Sequence, residues 1–109
     1  MSVPRDDLME RVTRRMQAFG DPTRIRLIFA LEEHDASVQQ LADELELVHR
    51  NVSHGLNVLY REGLVSRRKV GTSVIYALAD YSACQLIRHA TEGVRAQIEE
   101  LSELIARTG

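Results

Sequence analysis

A chain of 109 residues with 44% apolar side chains is sized for one packed domain and is too apolar for a disordered tail. It has no apolar run near the ~18 residues a membrane span needs, and its opening, MSVPRDDLMERV, is too charged for a secretory leader. The lone Cys84 cannot close an internal disulfide, so a reducing cytoplasm is the expected compartment.

The formal net charge of −2 argues against a nucleic-acid partner until its distribution is read. Val48 to Ser73 carries five bases (Arg50, Arg61, Arg67, Arg68, Lys69) against one acid, Glu62. Glu32 to Glu46 carries six acids and no Lys or Arg. A polyanion responds to the local patch rather than to the total.

Leu8, Val12 and Met16 recur at i, i+4, i+8 and predict a first helix from Arg5 to Phe19, stopped by Gly20. Asp21-Pro22 opens a second: Asp is a good N-cap, and Pro at the first helical position loses no needed N–H. Ile25, Leu27, Ile28, Phe29 and Leu31 bury it as far as Glu33-His34-Asp35. Ser37-Val38-Gln39-Gln40 fits a capping box for a third helix, with Val38, Leu41, Ala42 and Leu45 inward. A turn holding Leu47 leads to a fourth helix from near Val48. Val52, Leu56 and Leu59 form its core face, and Gly63 is its C-terminal cap. Leu64 to Lys69 and Ser73 to Leu78 read as strands joined at Val70-Gly71-Thr72. Asp80 is the expected N-cap of a final helix reaching Ala106.

These elements predict a mainly α fold with a small β-hairpin, a winged helix-turn-helix, in one domain spanning 1–109. The helix-turn-helix covers 37–62, the wing 64–78 and a terminal dimerisation helix 80–106. Ile87, Ala90, Val94, Ile98, Leu101 and Ile105 form a continuous stripe on a final helix longer than the domain needs. A homodimer is expected through Leu8, Val12, Met16, Ile87, Val94, Ile98, Leu101 and Ile105.

With the core face of the fourth helix assigned, His49, Arg50, Asn51, Ser53, His54 and Asn57 remain outward in its first turns, which reach base edges when such a helix enters the major groove. Asn pairs bidentately with adenine, Arg with guanine, and Ser with either. Arg67, Arg68, Lys69 and Thr72, at or near the wing tip, are expected to neutralise phosphates. Double-stranded DNA is thus the expected partner. Nothing resembles a catalytic set: no Ser/His/Asp pattern, phosphate loop or paired carboxylates, so an enzyme is not expected. The competing expectation is a protein-interaction module, or a regulator whose signal comes from a co-regulator protein.

The chain resembles the ArsR/SmtB-type winged-helix repressors over about Leu8 to Ile105. The carrying residues are Asp21-Pro22-Thr23-Arg24-Ile25-Arg26-Leu27, Leu41-Ala42, Val52-Ser53-His54-x-Leu56-x-x-Leu59, Glu62-Gly63-Leu64-Val65, and the Gly71 wing ending in Tyr76-Ala77-Leu78. The resemblance implies a homodimer, joined by the first and last helices, that binds an imperfect inverted repeat near a promoter and is released by an inducer. Two positions depart from it. Glu46 stands where the turn commonly carries Gly, and Val48 where a Ser or Thr caps the recognition helix, a loss of ~1 kcal/mol.

The resemblance also implies where metals would sit. Relatives with a Cys-x-Cys in the third helix hold soft ions there, but Ser37 and Gln39 occupy those places and are poor ligands for such ions. Relatives with a four-ligand site on the final helices match only at Asp80; Ser82, Gly93 and Ala96 stand at the other positions. The remaining candidates are Asp80 and Cys84 at i, i+4 and His89 and Glu92 at i, i+3. A two-fold dimer would double them, and nickel or zinc suits such donors. Alternatively no metal binds, and Cys84, with Arg88 one turn on, is a thiol sensor.

Overall fold

The computed structural model describes residues 5–108; the ends of the expected 1–109 domain lie outside the described residues. Five helices and one hairpin follow in the order α1 (Asp6–Phe19), α2 (Pro22–Glu33), α3 (Val38–Leu45), α4 (His49–Arg61), β1 (Val65–Val70), β2 (Ser73–Leu78) and α5 (Ser82–Thr108). This is the winged helix-turn-helix expected from the sequence.

Local chemistry sets the corners. Asp21 accepts the Arg24 amide at 3.0 Å and so caps α2, with Pro22 at its first position. The Arg24 guanidinium turns back to the carbonyls of Ala18 and Gln17, at 2.8 and 3.3 Å, which closes the end of α1. The capping box of α3 is complete: Ser37 accepts from the Gln40 amide at 3.1 Å, and Gln40 accepts from the Ser37 amide at 2.8 Å.

α3 closes with Leu47 N–H bonded to the Ala42 carbonyl at 2.9 Å and Glu46 in the left-handed region at φ 55°, ψ 46°. α4 closes the same way, Leu64 N–H to Leu59 at 2.9 Å and Gly63 N–H to Tyr60 at 3.0 Å, with Gly63 at φ 74°. That closure uses Leu64 as a helix stop, so β1 begins one residue later than expected. It then runs on to Val70, which pairs with Ser73. The turn shrinks to Gly71-Thr72, and only Gly71 has positive φ, at 62°, the pattern of a type II′ turn.

Asp80 caps one residue further out than expected. Its carboxylate accepts the Ser82 amide at 3.0 Å, and the helix proper starts at Ser82. α5 also runs two residues past Ala106, to Thr108.

Leu27 and Ile28 of α2, Leu41 of α3, Val52, Leu56 and Leu59 of α4, Leu64 and Cys84 form the sealed core. Ala36, in the loop between α2 and α3, bridges β2 by paired hydrogen bonds with Tyr76 at 3.0 and 2.8 Å, so the wing root is tied to the helix-turn-helix. α5 contributes only Ala83, Cys84 and Ile87 to the core. Beyond them it projects with Val94, Ile98, Leu101, Leu104 and Ile105 between 54% and 62% exposed. Among the described residues no helix is long and apolar enough to cross a membrane.

Candidate nucleic-acid interface

α4 separates by face as its periodicity requires. Val52, Leu56 and Leu59 are sealed, while His49, Arg50, Asn51, His54 and Asn57 are exposed and Ser53 is half-buried. Val48 makes no side-chain cap, so the leading amides of α4 have no side-chain acceptor and its positive end is open to an anion. The missing cap therefore leaves donors free on the face that carries the polar residues. The start of α2 joins this face: Asp21, Thr23 and Arg24 line a shallow cleft with Asn51, His54 and Gly55.

The wing bases divide into braced and open ones. The Arg67 guanidinium stacks on the Tyr60 ring, 4.0 Å from its centroid, beside Tyr76, its direct cross-strand partner. Arg68 lies on the other face of β1 and donates to Asp35 at 3.0 Å. Lys69 and Thr72 are exposed at the tip, and Lys69 has no ion-pair partner among the described residues. Sequence reasoning counted all the bases alike and missed Tyr60, Tyr76 and Asp35. An aromatic seven residues before Arg67 was the one available signal for the stack.

The expected interface residues Leu8, Val12 and Met16 are 39% to 50% exposed, and Val94, Ile98, Leu101 and Ile105 more so. Ile87, counted with them, is 7% exposed and belongs to the core of its own chain. It borders an apolar groove of about 840 Å³ between the end of α1 and α5, lined also by Met16, Phe19, Val94 and Ile98.

The candidate metal ligands are not brought together. Asp80 is engaged by Arg15 at 3.1 Å and by Ser82. Cys84 is sealed in the core, while His89 and Glu92 are exposed and Glu92 faces Arg95 at 3.5 Å. Ser37 is committed to its capping box, and the Gln39 amide donates to Asp43 at 2.9 Å. Among the described residues no three His, Cys, Asp or Glu side chains could hold an ion, so the donors of one chain do not fit a metal centre. Arg88 favours the Cys84 thiolate, as the sequence suggested, but it pairs with Glu32 and its effect is outweighed. Burial first, and then the Glu32 carboxylate, push the Cys84 thiol up to about 11, away from sensor chemistry.

Residues 21–67 match the family described as "Bacterial regulatory protein, arsR family". The chain is 34% identical over 86 residues to a transcriptional repressor SmtB homolog of Synechocystis, covering 79% of this chain and 65% of that protein. It is 34% identical over 84 residues to the uncharacterized HTH-type transcriptional regulator MJ1325 of Methanocaldococcus jannaschii, covering 76% and 94%. The crystal structure of Mycobacterium tuberculosis Rv0081 superposes with a TM-score of 0.73 at 29% identity over 91% of this chain and 97% of that one. The chain thus spans just under two thirds of the cyanobacterial relative and nearly all of the archaeal one.

Proposed function

The chain belongs to the arsR family of bacterial regulatory proteins, and from that premise we propose that it is a cytoplasmic transcriptional repressor that binds a two-fold operator as a homodimer. The observation that carries this is the exposed polar set on the first turns of α4, on a helix end left open to anions and flanked by the wing. Arg50, Asn51, Ser53, His54 and Asn57 read base edges, with His49 beside them. Lys69 and Thr72 meet the backbone from the wing tip, and the braced Arg67 and Arg68 hold the hairpin at a fixed angle and add positive field.

The homodimer reading is supported by the apolar stripe of α5 and the groove beside α1, too large an exposed apolar surface for a monomer. A two-fold dimer places the two α4 helices on half-sites about one DNA turn apart. The family is one of regulatory proteins. Among the described residues no three donors of one chain gather round a point, so a metal site built from these donors would be one shared across the two-fold axis.

The test is an electrophoretic mobility shift with DNA from upstream of the protein's own gene. Binding should be saturable, two-fold and steeply salt-dependent, and Arg50→Ala should weaken it. Equal affinity for every fragment, unaffected by Arg50→Ala, would overturn the operator-binding role.

A further inference from the structure

Four arginines line a cleft of about 430 Å³ between α1 and the C-terminal end of α4: Arg11, Arg14, Arg15 and Arg61, with Tyr60 and Gly63 on its walls. The cleft shares no lining residue with the apolar groove. The far end of α4 is about 18 Å from the first turn that faces DNA, at ~1.5 Å per residue. The cleft therefore lies off the leading turn of α4, while Leu8 and Val12, two of the expected interface residues, and Tyr60, on which Arg67 stacks, stand on its walls.

Its floor is rigid. The Arg15 guanidinium donates to the Glu62 carbonyl at 2.8 Å and to Asp80 at 3.1 Å. Gly63 is in the left-handed region, and a Cβ there would stand 3.2 Å from Arg15 Nη2, so a side chain would crowd this floor. The rest of the positive charge is poorly neutralised. Glu62 is the one acid among the lining residues. Arg14 lies 3.7 Å from Glu10 and 4.0 Å from Glu62, long contacts that hold an exposed side chain weakly. Arg11 and Arg61 are exposed and have no ion-pair partner among the described residues.

Four arginines against one acid leave an excess of positive charge along this hollow, and a bound anion would offset it. The forked guanidinium donors match the oxygens of phosphate and carboxylate, two at a time. We propose that this cleft binds a small polyanion carrying phosphate or clustered carboxylate groups. It touches α1, the end of α4 and, through Arg15 and Asp80, the start of α5, so occupancy couples the DNA-reading helix to the dimer helices. That coupling rests on the operator-binding reading, whereas anion binding does not.

The experiment is calorimetric titration of the full chain, without DNA and at low ionic strength, with pyrophosphate and with citrate. At least one probe should bind saturably and weaken tenfold or more in Arg11→Ala/Arg61→Ala. A charge-matched control, Arg26→Ala/Arg107→Ala, should bind as the parent does, and circular dichroism checks that both variants fold. No saturable heat with either probe overturns the proposal, and so does equal weakening in the control. It is also overturned if the cleft variant binds the probes normally and instead loses DNA affinity, which makes the cleft a DNA contact, or becomes monomeric, which makes it an interface between copies. Loss of all operator binding with pyrophosphate binding retained would sink the regulator reading and leave the anion site standing.

Discussion

Arg68, midway along the wing strand β1, donates to the carboxylate of Asp35 in the loop ahead of the helix-turn-helix, 3.0 Å away, with both side chains about half exposed. The next residue, Ala36, bridges Tyr76 of β2, so this ion pair sits where the wing is tied to the rest of the fold. Asp35 is thus an internal competitor for a cation on the DNA-binding side. Asp35→Ala should raise operator affinity about three- to tenfold and steepen the plot of log affinity against log salt by up to about one phosphate contact. The fold should tolerate the change, since exposed pairs are worth ~0–1 kcal/mol. Fluorescence anisotropy from 50 to 200 mM salt is the check. An unchanged slope would mean that Arg68 never faces a phosphate.

The turn of the helix-turn-helix is held in a strained form. Glu46 occupies the left-handed region at φ 55°, the position at which a Cβ meets the following carbonyl. The closing bond from Leu47 to Ala42 requires that conformation, so the strain persists. Glu46→Gly should relieve it, offset partly by the larger entropy of glycine in the unfolded chain. The expected gain is about 0.5–1 kcal/mol, or several degrees in Tm for a domain of this size. Thermal melts of the two proteins decide it, and a loss of stability would show that Glu46 makes a compensating contact.

What was legible in the sequence was whatever repeats within one element. The stripe of α4, the Asp21-Pro22 opening and the Ser37 capping box are local and stand as expected, and Gly71 turns the hairpin though the turn is one residue shorter than expected. Contacts between elements were not legible. Arg24 reaches back to Ala18 and Gln17 only because α1 and α2 meet at that corner. Arg67 and Arg68 read as interchangeable phosphate contacts because their charge shows in the sequence, while Tyr60 and Asp35 lie on other elements. Ile87 joined the interface stripe because an unbroken periodicity carries no mark of where one chain's core ends.

Cys84 should be a slow thiol in the native protein. It is sealed between α2 and α5, and its pKa of about 11 leaves roughly a hundredfold less thiolate near pH 8 than an ordinary cysteine has. Native protein should react with a maleimide at a small fraction of its rate in denaturant, and peroxide at modest excess should leave DNA binding intact. Rapid native labelling would reopen a redox role.

His34 carries a pH dependence of known sign. The Asp35 carbonyl, and after it the Glu44 carboxylate 3.0 Å away, raise its pKa above 6.5 in the folded chain. Protonation is then more favourable in the folded than in the unfolded state. The stabilisation is complete below about pH 6.5 and is lost as pH rises through the raised folded value. In Glu44→Gln the His34 midpoint, followed by NMR, should fall toward 6.5, and the parent's advantage over the variant should fade at higher pH. A midpoint unmoved by that substitution would assign the whole shift to the Asp35 carbonyl.

The apolar stripe of α5 makes the sharpest demand on the assembled protein. Ile98 is 59% exposed and lies well beyond Ile87, the last residue through which α5 joins the core, so nothing within its own chain needs it to be apolar. In a two-fold dimer each substitution acts twice at a self-complementary surface. Ile98→Glu would place two carboxylates in that surface, at a desolvation cost of several kcal/mol per ion. The variant should keep the parent's circular dichroism, sediment as a monomer at micromolar concentration, and lose a hundredfold or more in affinity for an operator of two half-sites. Its affinity for an isolated half-site should change little, because α4 and the wing are untouched. A variant that stays dimeric would place the interface elsewhere, and one that unfolds would show that the outer half of α5 supports the domain rather than the dimer.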